Sequence, residues 1–166
     1  MPTVASGDGR VTLDVPEGWD PAEDVDDLPD ELRSALAASR LGPLAIPATS
    51  RLGAGSVTLD RERADGRRHD VLDSLLRDAF SRSKDAARRH SELNLDEWEP
   101  FSTRQGMDGA VVGYTVTGRG APHSHLLLAV STPSALIRGG GTLERALDGA
   151  GLLELVGVLR TLRLTR

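Results

Sequence analysis

Residues 10 to 15 alternate, with Val11, Leu13 and Val15 on one side and Thr12 and Asp14 on the other, and the run stops at Pro16-Glu-Gly-Trp19. Period-two alternation is the mark of a half-buried strand, and a proline followed by a glycine ends its ladder. A chain whose ordered part opens this way must supply further strands and a layer to cover the apolar side. At 166 residues it is long enough to bury a core without staples and short enough to be one domain. The expected organisation is therefore a single domain over residues 1–166, with residues 1–9 as a flexible tail.

Composition removes several classes of chemistry. There is no cysteine, which rules out disulfides, thiolate catalysis and Cys-ligated zinc. No run approaches the roughly 18 apolar residues of a membrane span, and the first residues have neither a basic start nor an apolar stretch. The expectation is a soluble cytoplasmic protein. The net charge of −5 argues against sequence-independent nucleic-acid binding, in which phosphate neutralisation supplies most of the affinity. Lys84 is the single lysine among 20 basic residues, a bias that reads as coding composition rather than as an arginine surface.

The strand is followed by a strongly acidic stretch. Glu17 to Glu31 holds eight acidic residues and no basic one. Such a run repels itself and reads as a solvated loop, or as a docking surface for a basic partner through Asp24, Asp26, Asp27 and Asp30. A short helix is expected from Pro29 to Arg40, with Leu32, Ala35 and Leu36 inward and Gly42-Pro43 closing it. Leu44 to Pro47 and Gly55 to Arg61 read as strands. Asp70 is placed to cap the clearest helix, where Val71, Leu72, Leu75, Leu76, Ala79, Phe80 and Ala87 form one apolar stripe up to His90. Arg82, Lys84, Arg88 and Arg89 lie on its other face, where they complement the helix dipole and make the one candidate basic patch.

The second half reads as an antiparallel meander: Trp98 to Arg104, Ala110 to Thr117 and Ser124 to Ser131, joined by Gly106-Met-Asp-Gly109 and Gly118 to Pro122. Pro133 to Gly141 has no clear period. Gly139-Gly-Gly-Thr142 invites a phosphate-loop reading but lacks the Walker lysine, and reads better as a flexible helix start capped by Thr142. Leu143, Ala146, Leu147 and Gly151 to Leu159 suggest a last helix.

Taken together, Val11 to Trp19, the strand and helix between Gly55 and His90, and Met107-Asp-Gly-Ala-Val-Val-Gly-Tyr114 resemble the Mog1/PsbP-like fold family, and within it the actinobacterial LpqN-like branch. The resemblance spans nearly the whole chain through short motifs. It implies an α+β fold, an αβα sandwich around a mainly antiparallel sheet, without enzymatic activity or cofactor. It also implies an accessory role in binding another protein, as Mog1 binds Ran and PsbP associates with photosystem II. The partner would be a protein near a bacterial secretion or regulatory system, and homodimerisation is open.

Residues that could carry chemistry are few. His123 and His125 share a strand face and could share a metal, provided His69, His90 or a carboxylate supplies a third ligand. No Gly-x-Ser-x-Gly elbow is present, and a hydrolase built from Asp96, Glu97 or Glu99 beside a histidine would need a cleft. Trp98, between two glutamates and before Pro100, either packs under the long helix or stands exposed as a binding hot spot. The preferred reading is a non-catalytic protein-binding domain using the acidic loop and Trp98. The alternative is a small-ligand domain with a pocket between the sheet and the long helix.

Overall fold

The computed structural model describes residues 1–22, 29–66, 70–89, 91–118 and 120–165. In chain order its elements are β1 (Thr3–Ala5), β2 (Val11–Asp14), β3 (Asp20–Pro21), α1 (Asp30–Ser39), β4 (Arg40–Ile46), β5 (Gly55–Arg63) and α2 (Val71–Arg88). They continue as β6 (Glu92–Ser102), β7 (Asp108–Thr117), β8 (His123–Ser131), β9 (Ala135–Leu143), α3 (Gly149–Leu159) and β10 (Arg163–Leu164). The opening strand β2 sits at the centre of a small sheet, β1-β2-β10, while the rest form a seven-stranded sheet in the order β3-β4-β5-β9-β8-β7-β6. Every pairing is antiparallel.

Two apolar clusters flank the large sheet. One side carries Val57, Leu59, Val111, Leu126, Leu128 and Ile137, packed against α3 and against Val11, Leu13 and Trp19. The other side carries Ala110, Val112, Ala129 and Leu136, packed against Val71, Leu75 and Ala79 of α2. The molecule is thus an α+β sandwich, with α2 on one face of the antiparallel sheet and α3 with the small sheet on the other.

Local signals explain most boundaries. The Asp70 carboxylate accepts from the Asp73 amide at 3.0 Å and starts α2; the Asp148 carboxylate does the same for α3, accepting from the Gly151 amide at 2.8 Å. The last carbonyls of α1 are satisfied from outside the helix, since Ala37 accepts from the Gly7 amide and Ala38 from the Asp8 amide, both at 3.0 Å. A Cβ on Gly7 would stand 2.4 Å from the Ala37 oxygen, so only glycine permits that approach.

Several expectations are corrected. Residues 1–9 are not a free tail: Thr3–Ala5 pairs with Ala5↔Thr12 and Thr3↔Asp14, because β2 has an edge to offer. Leu32 and Leu36 of α1 do not turn inward but are 54% and 37% exposed, since the helix touches the fold chiefly through its C-terminal end. Gly42-Pro43 does not end that helix; it lies inside β4, at the register shift between Leu41 and Leu44. There Gly42 has φ +98°, and an added Cβ would meet the Val57 oxygen at 2.8 Å.

Strand β6 starts at Glu92, six residues earlier than expected. A bulge between Leu95 and Glu97 breaks the alternation on which the sequence reading relied. The extra residue, Asp96, accepts hydrogen bonds from the Thr115 hydroxyl and, at 3.4 Å, from the Ser124 hydroxyl. Gly139 to Thr142 is neither a phosphate loop nor a helix start but the middle of β9, paired on both sides.

The α3 layer should dominate stability. Leu155→Ala, at a site with no exposed surface, is expected to cost about 2–5 kcal/mol, whereas Leu153→Ala, on the solvent side at 72% exposure, should change stability by no more than about 0.5 kcal/mol. Urea unfolding of both variants measures the difference, and equal losses would contradict this layering.

Candidate binding groove

Helix α2 lies over β6, β7 and β8 and, among the described residues, leaves the same face of β9, β5 and β4 open beside it. On that face β5 presents Ser56, Thr58, Asp60 and Glu62, alternating with the inward Val57 and Leu59. Register places Thr142, Gly140, Arg138 and Leu136 of β9 beside them. The result is a groove of about 490 Å³ between the flank of α2 and the bare half of the sheet. Val71, Ser74, Leu75, Asp78 and Arg82 form the helix wall, and Leu127, Leu136 and Gly140 lie on the sheet side. A second compartment of about 270 Å³ continues it past Arg82, lined by Ser56, Thr58, Tyr114, His125 and Thr142.

The glycine run in β9 acquires a physical reason here. A Cβ on Gly139 would meet the Thr58 oxygen and Leu59 at 2.6 Å, and one on Gly141 would meet the Ser56 oxygen at 2.3 Å, so both are demanded by packing. Gly140 differs: its Cβ would meet only the Leu126 oxygen, at 3.3 Å. Its missing side chain leaves the groove floor open, because Gly140 lines both compartments.

Charge is distributed unevenly along the groove. Arg40 pairs with Asp60 at 2.9 Å and Arg138 with Glu62 at 3.8 Å. Arg82, one turn beyond Asp78, has no carboxylate within 4.0 Å among the described residues; its guanidinium lies beside the Tyr114 hydroxyl instead. Burial pushes the Tyr114 phenol above its ordinary value of 10.0, against the pull of Arg82, so it stays a neutral O–H donor. The His125 ring stacks on Tyr114, with centroids 5.4 Å apart and planes 16° apart.

His123 and His125 meet at 2.9 Å between their Nε2 atoms. His123 Nδ1 faces the Ala121 carbonyl at 3.3 Å. In the neutral pair His123 therefore donates from Nδ1 and accepts at Nε2, leaving His125 to donate from its own Nε2. Two imidazolium rings could not make this bond, because both facing atoms would be donors. Burial first, then the charges of His123 and Arg82, holds the His125 pKa below 6.5.

The anticipated site residues fall in different places. Asp24, Asp26 and Asp27 lie outside the described residues, as do the prospective metal ligands His69 and His90. Asp30 begins α1, almost fully exposed and 3.7 Å from Arg33. Trp98 stands on β6, at the opposite edge of the sheet order from β4, five strand spacings or about 24 Å away. Among the described residues no group of three His, Asp or Glu side chains could hold a metal. The basic patch is dispersed: Arg88 pairs with Asp85 at 3.6 Å, and Lys84 sits 4.7 Å above the Phe80 ring.

Trp98 takes the exposed alternative, at 47%, and Phe80, read as part of the buried stripe, is 64% exposed. The stripe through Val71, Leu75 and Ala79 faces the sheet, and at 100° per residue Phe80 points away from the groove, towards the β6 side. Leu95, 47% exposed, shares the α2 side of β6 with Trp98, through the pairs Leu95↔Tyr114 and Trp98↔Val112. A pocket between the sheet and the long helix is the alternative reading of the sequence, and the groove lies there. Its lining went unread in the sequence, although the polar face of β5 next to a glycine run was its available sign.

This architecture is found in solved structures of very different sequence. The chain superposes on the Ran-binding protein Mog1p of Saccharomyces cerevisiae with a TM-score of 0.58 and 8% identity, over 98% of this chain and 94% of that one. The solution structure of cyanobacterial PsbP (CyanoP) from Synechocystis sp. PCC 6803 gives 0.56 and 11% identity, over 99% and 92%. A crystal structure from Bacteroides thetaiotaomicron VPI-5482 gives 0.53 and 12%, over 99% of this chain, which spans only 48% of that protein. No protein-family model matches the sequence, and no curated protein matches it with significance. The chain has the Mog1/PsbP-like fold.

The histidine geometry sets a pH dependence. Because the folded-state pKa of His125 lies below 6.5, the unfolded chain takes up that proton more readily; the stabilising contribution is present above 6.5 and lost as pH falls through the folded value. The groups facing His125 are His123, Tyr114 and Arg82. Asp8 and Asp14, whose pKa values lie below 3.8, act only in more acidic solution. Melting curves between about pH 7.5 and about pH 5 should fall less steeply for His125→Gln than for the parent chain, and parallel curves would refute the assignment.

Proposed function

We propose that the chain is a non-catalytic accessory domain that recognises another protein through the β6 edge of its sheet. The observation that carries this reading is Trp98, a large ring 47% exposed on a strand that ends the sheet, with Leu95 beside it and Phe80 on the adjoining flank of α2. Exposed aromatic anchors ringed by polar residues are the usual energetic centre of an interface. The rim is acidic: Glu92, Asp96, Glu97 and Glu99 all belong to β6, which has no basic residue. The fitting partner therefore presents an apolar pocket bordered by Lys or Arg.

On this reading Asp24, Asp26, Asp27 and Asp30 act at a distance, raising the encounter rate of the basic partner rather than contacting the same pocket. The Val11 to Trp19 segment supports the finer assignment to the LpqN-like branch, and the proposed setting is cytoplasmic, near a secretion or regulatory system. A second reading, small-ligand binding, is favoured by the open groove beside α2.

Partner capture from host lysate followed by surface plasmon resonance on the purified pair tests the interface. Trp98→Ala should raise Kd by about tenfold or more, mainly through dissociation. Replacing Asp24, Asp26, Asp27 and Asp30 by asparagine should slow association and flatten its salt dependence. A second copy of this chain as the partner would appear as a concentration-dependent dimer lost in Trp98→Ala. Unchanged affinity in that variant would overturn the β6 interface.

A further inference from the structure

Arg82 separates the groove into two chemically different parts. On one side the cations are neutralised, Arg40 by Asp60 and Arg138 by Glu62. On the other, the smaller compartment has no carboxylate among the described residues that line it: its polar groups are the hydroxyls of Ser56, Thr58, Thr142 and Tyr114, the His125 imidazole and the Arg82 guanidinium. Hydroxyls and guanidinium are all able to donate, and a site made of donors with one unneutralised cation suits an oxyanion. We propose that this compartment seats the carboxylate or phosphate head of a small organic anion, held by Arg82, Tyr114 and the Ser56, Thr58 and Thr142 hydroxyls, with the rest of the molecule lying in the groove over Gly140.

Three further features fit this assignment, which rests on the small-ligand reading of the groove. The Arg82 guanidinium lies beside the Tyr114 phenol, which burial keeps protonated and so able to donate to an anion. The larger compartment has apolar walls at Val71, Leu75, Leu127 and Leu136 for an uncharged body, and its volume of about 490 Å³ is that of a small-molecule pocket. The positive charge that Arg82 and His123 impose on His125 would be offset by an anion placed beside Arg82. A bound anion should therefore raise the pKa of His125, so that binding and imidazole protonation reinforce each other.

Benzoate, phenyl phosphate and benzyl alcohol share an aromatic body and differ in the head group, so together they separate the cases. Each is titrated into the full-length chain at about pH 6.5 and followed by imidazole and amide NMR shifts. Either anion should saturate, with the largest changes at His125, His123, Tyr114 and Gly140 and a raised His125 pKa; the tighter of the two identifies the head group. Arg82→Gln, on the helix surface, should weaken both anions by about tenfold or more, and Gly140→Val, which fills the floor, should block them. Benzyl alcohol binding as tightly as the anions, or anion binding unchanged in Arg82→Gln, would overturn the oxyanion site while leaving a ligand groove in place. If none of the three perturbs these residues, both the site and the groove reading fail.

Discussion

The width of one helix against the width of the sheet governs the rest of this structure. Seven strands at about 4.8 Å spacing span about 29 Å, whereas an α-helix with its side chains is about 10–12 Å across. On one face the deficit is made up by α3 and the small sheet together, over a largely apolar surface. On the other, among the described residues, α2 covers β6 to β8 and leaves the groove beside it open over β9 and β5. The chain answers chemically rather than by adding another layer: β5 is polar on that side and β9 is glycine and arginine.

The same deficit decides the chemistry at the helix flanks. A helix seated on β6 to β8 has one flank over bare sheet and one near the sheet edge. Asp78 and Arg82 occupy the first and Phe80 the second. Arg82 forms no ion pair there among the described residues and lies beside Tyr114, next to two histidines that already share a hydrogen bond. One cation without a carboxylate partner among the described residues thus stands at one end of a groove in a protein that is acidic overall.

Much of the architecture was legible because short-range signals agreed with the tertiary outcome. Asp70 caps α2, the alternation in Ala110 to Thr117 became β7, and the continuous apolar run to Ser131 became an interior strand. The resemblance carried by Val11 to Trp19 led to the correct fold. Legibility failed where a neighbour, not the segment itself, set the structure. Gly139 to Gly141 are poor strand formers by propensity, yet two of them are required by the close approach of β5. Leu32 and Leu36 form an amphipathic pattern, yet both stay exposed. Bulged Asp96 shifts the phase of β6 midway, so no single period describes it. The candidate sites suffered most, because the groove exists only through the relative placement of α2, β5 and β9, which are distant in sequence.

The β6 edge carries its own constraint on any partner. An open eleven-residue strand with apolar side chains is a hazard for self-association. This strand has three protections: the bulge at Asp96, four acidic residues, and Pro100, which has no amide to donate. All but Glu92 fall between Asp96 and Pro100, the same stretch that displays Trp98. A second strand added along the whole edge would lose its ladder where Trp98 could contribute most. Recognition on the proposed reading must therefore come from side chains, with the indole entering a pocket and the carboxylates meeting basic groups at its border, while the protections keep the edge from pairing with unrelated strands. The features that read as defects in a strand are then the ones that make the edge selective.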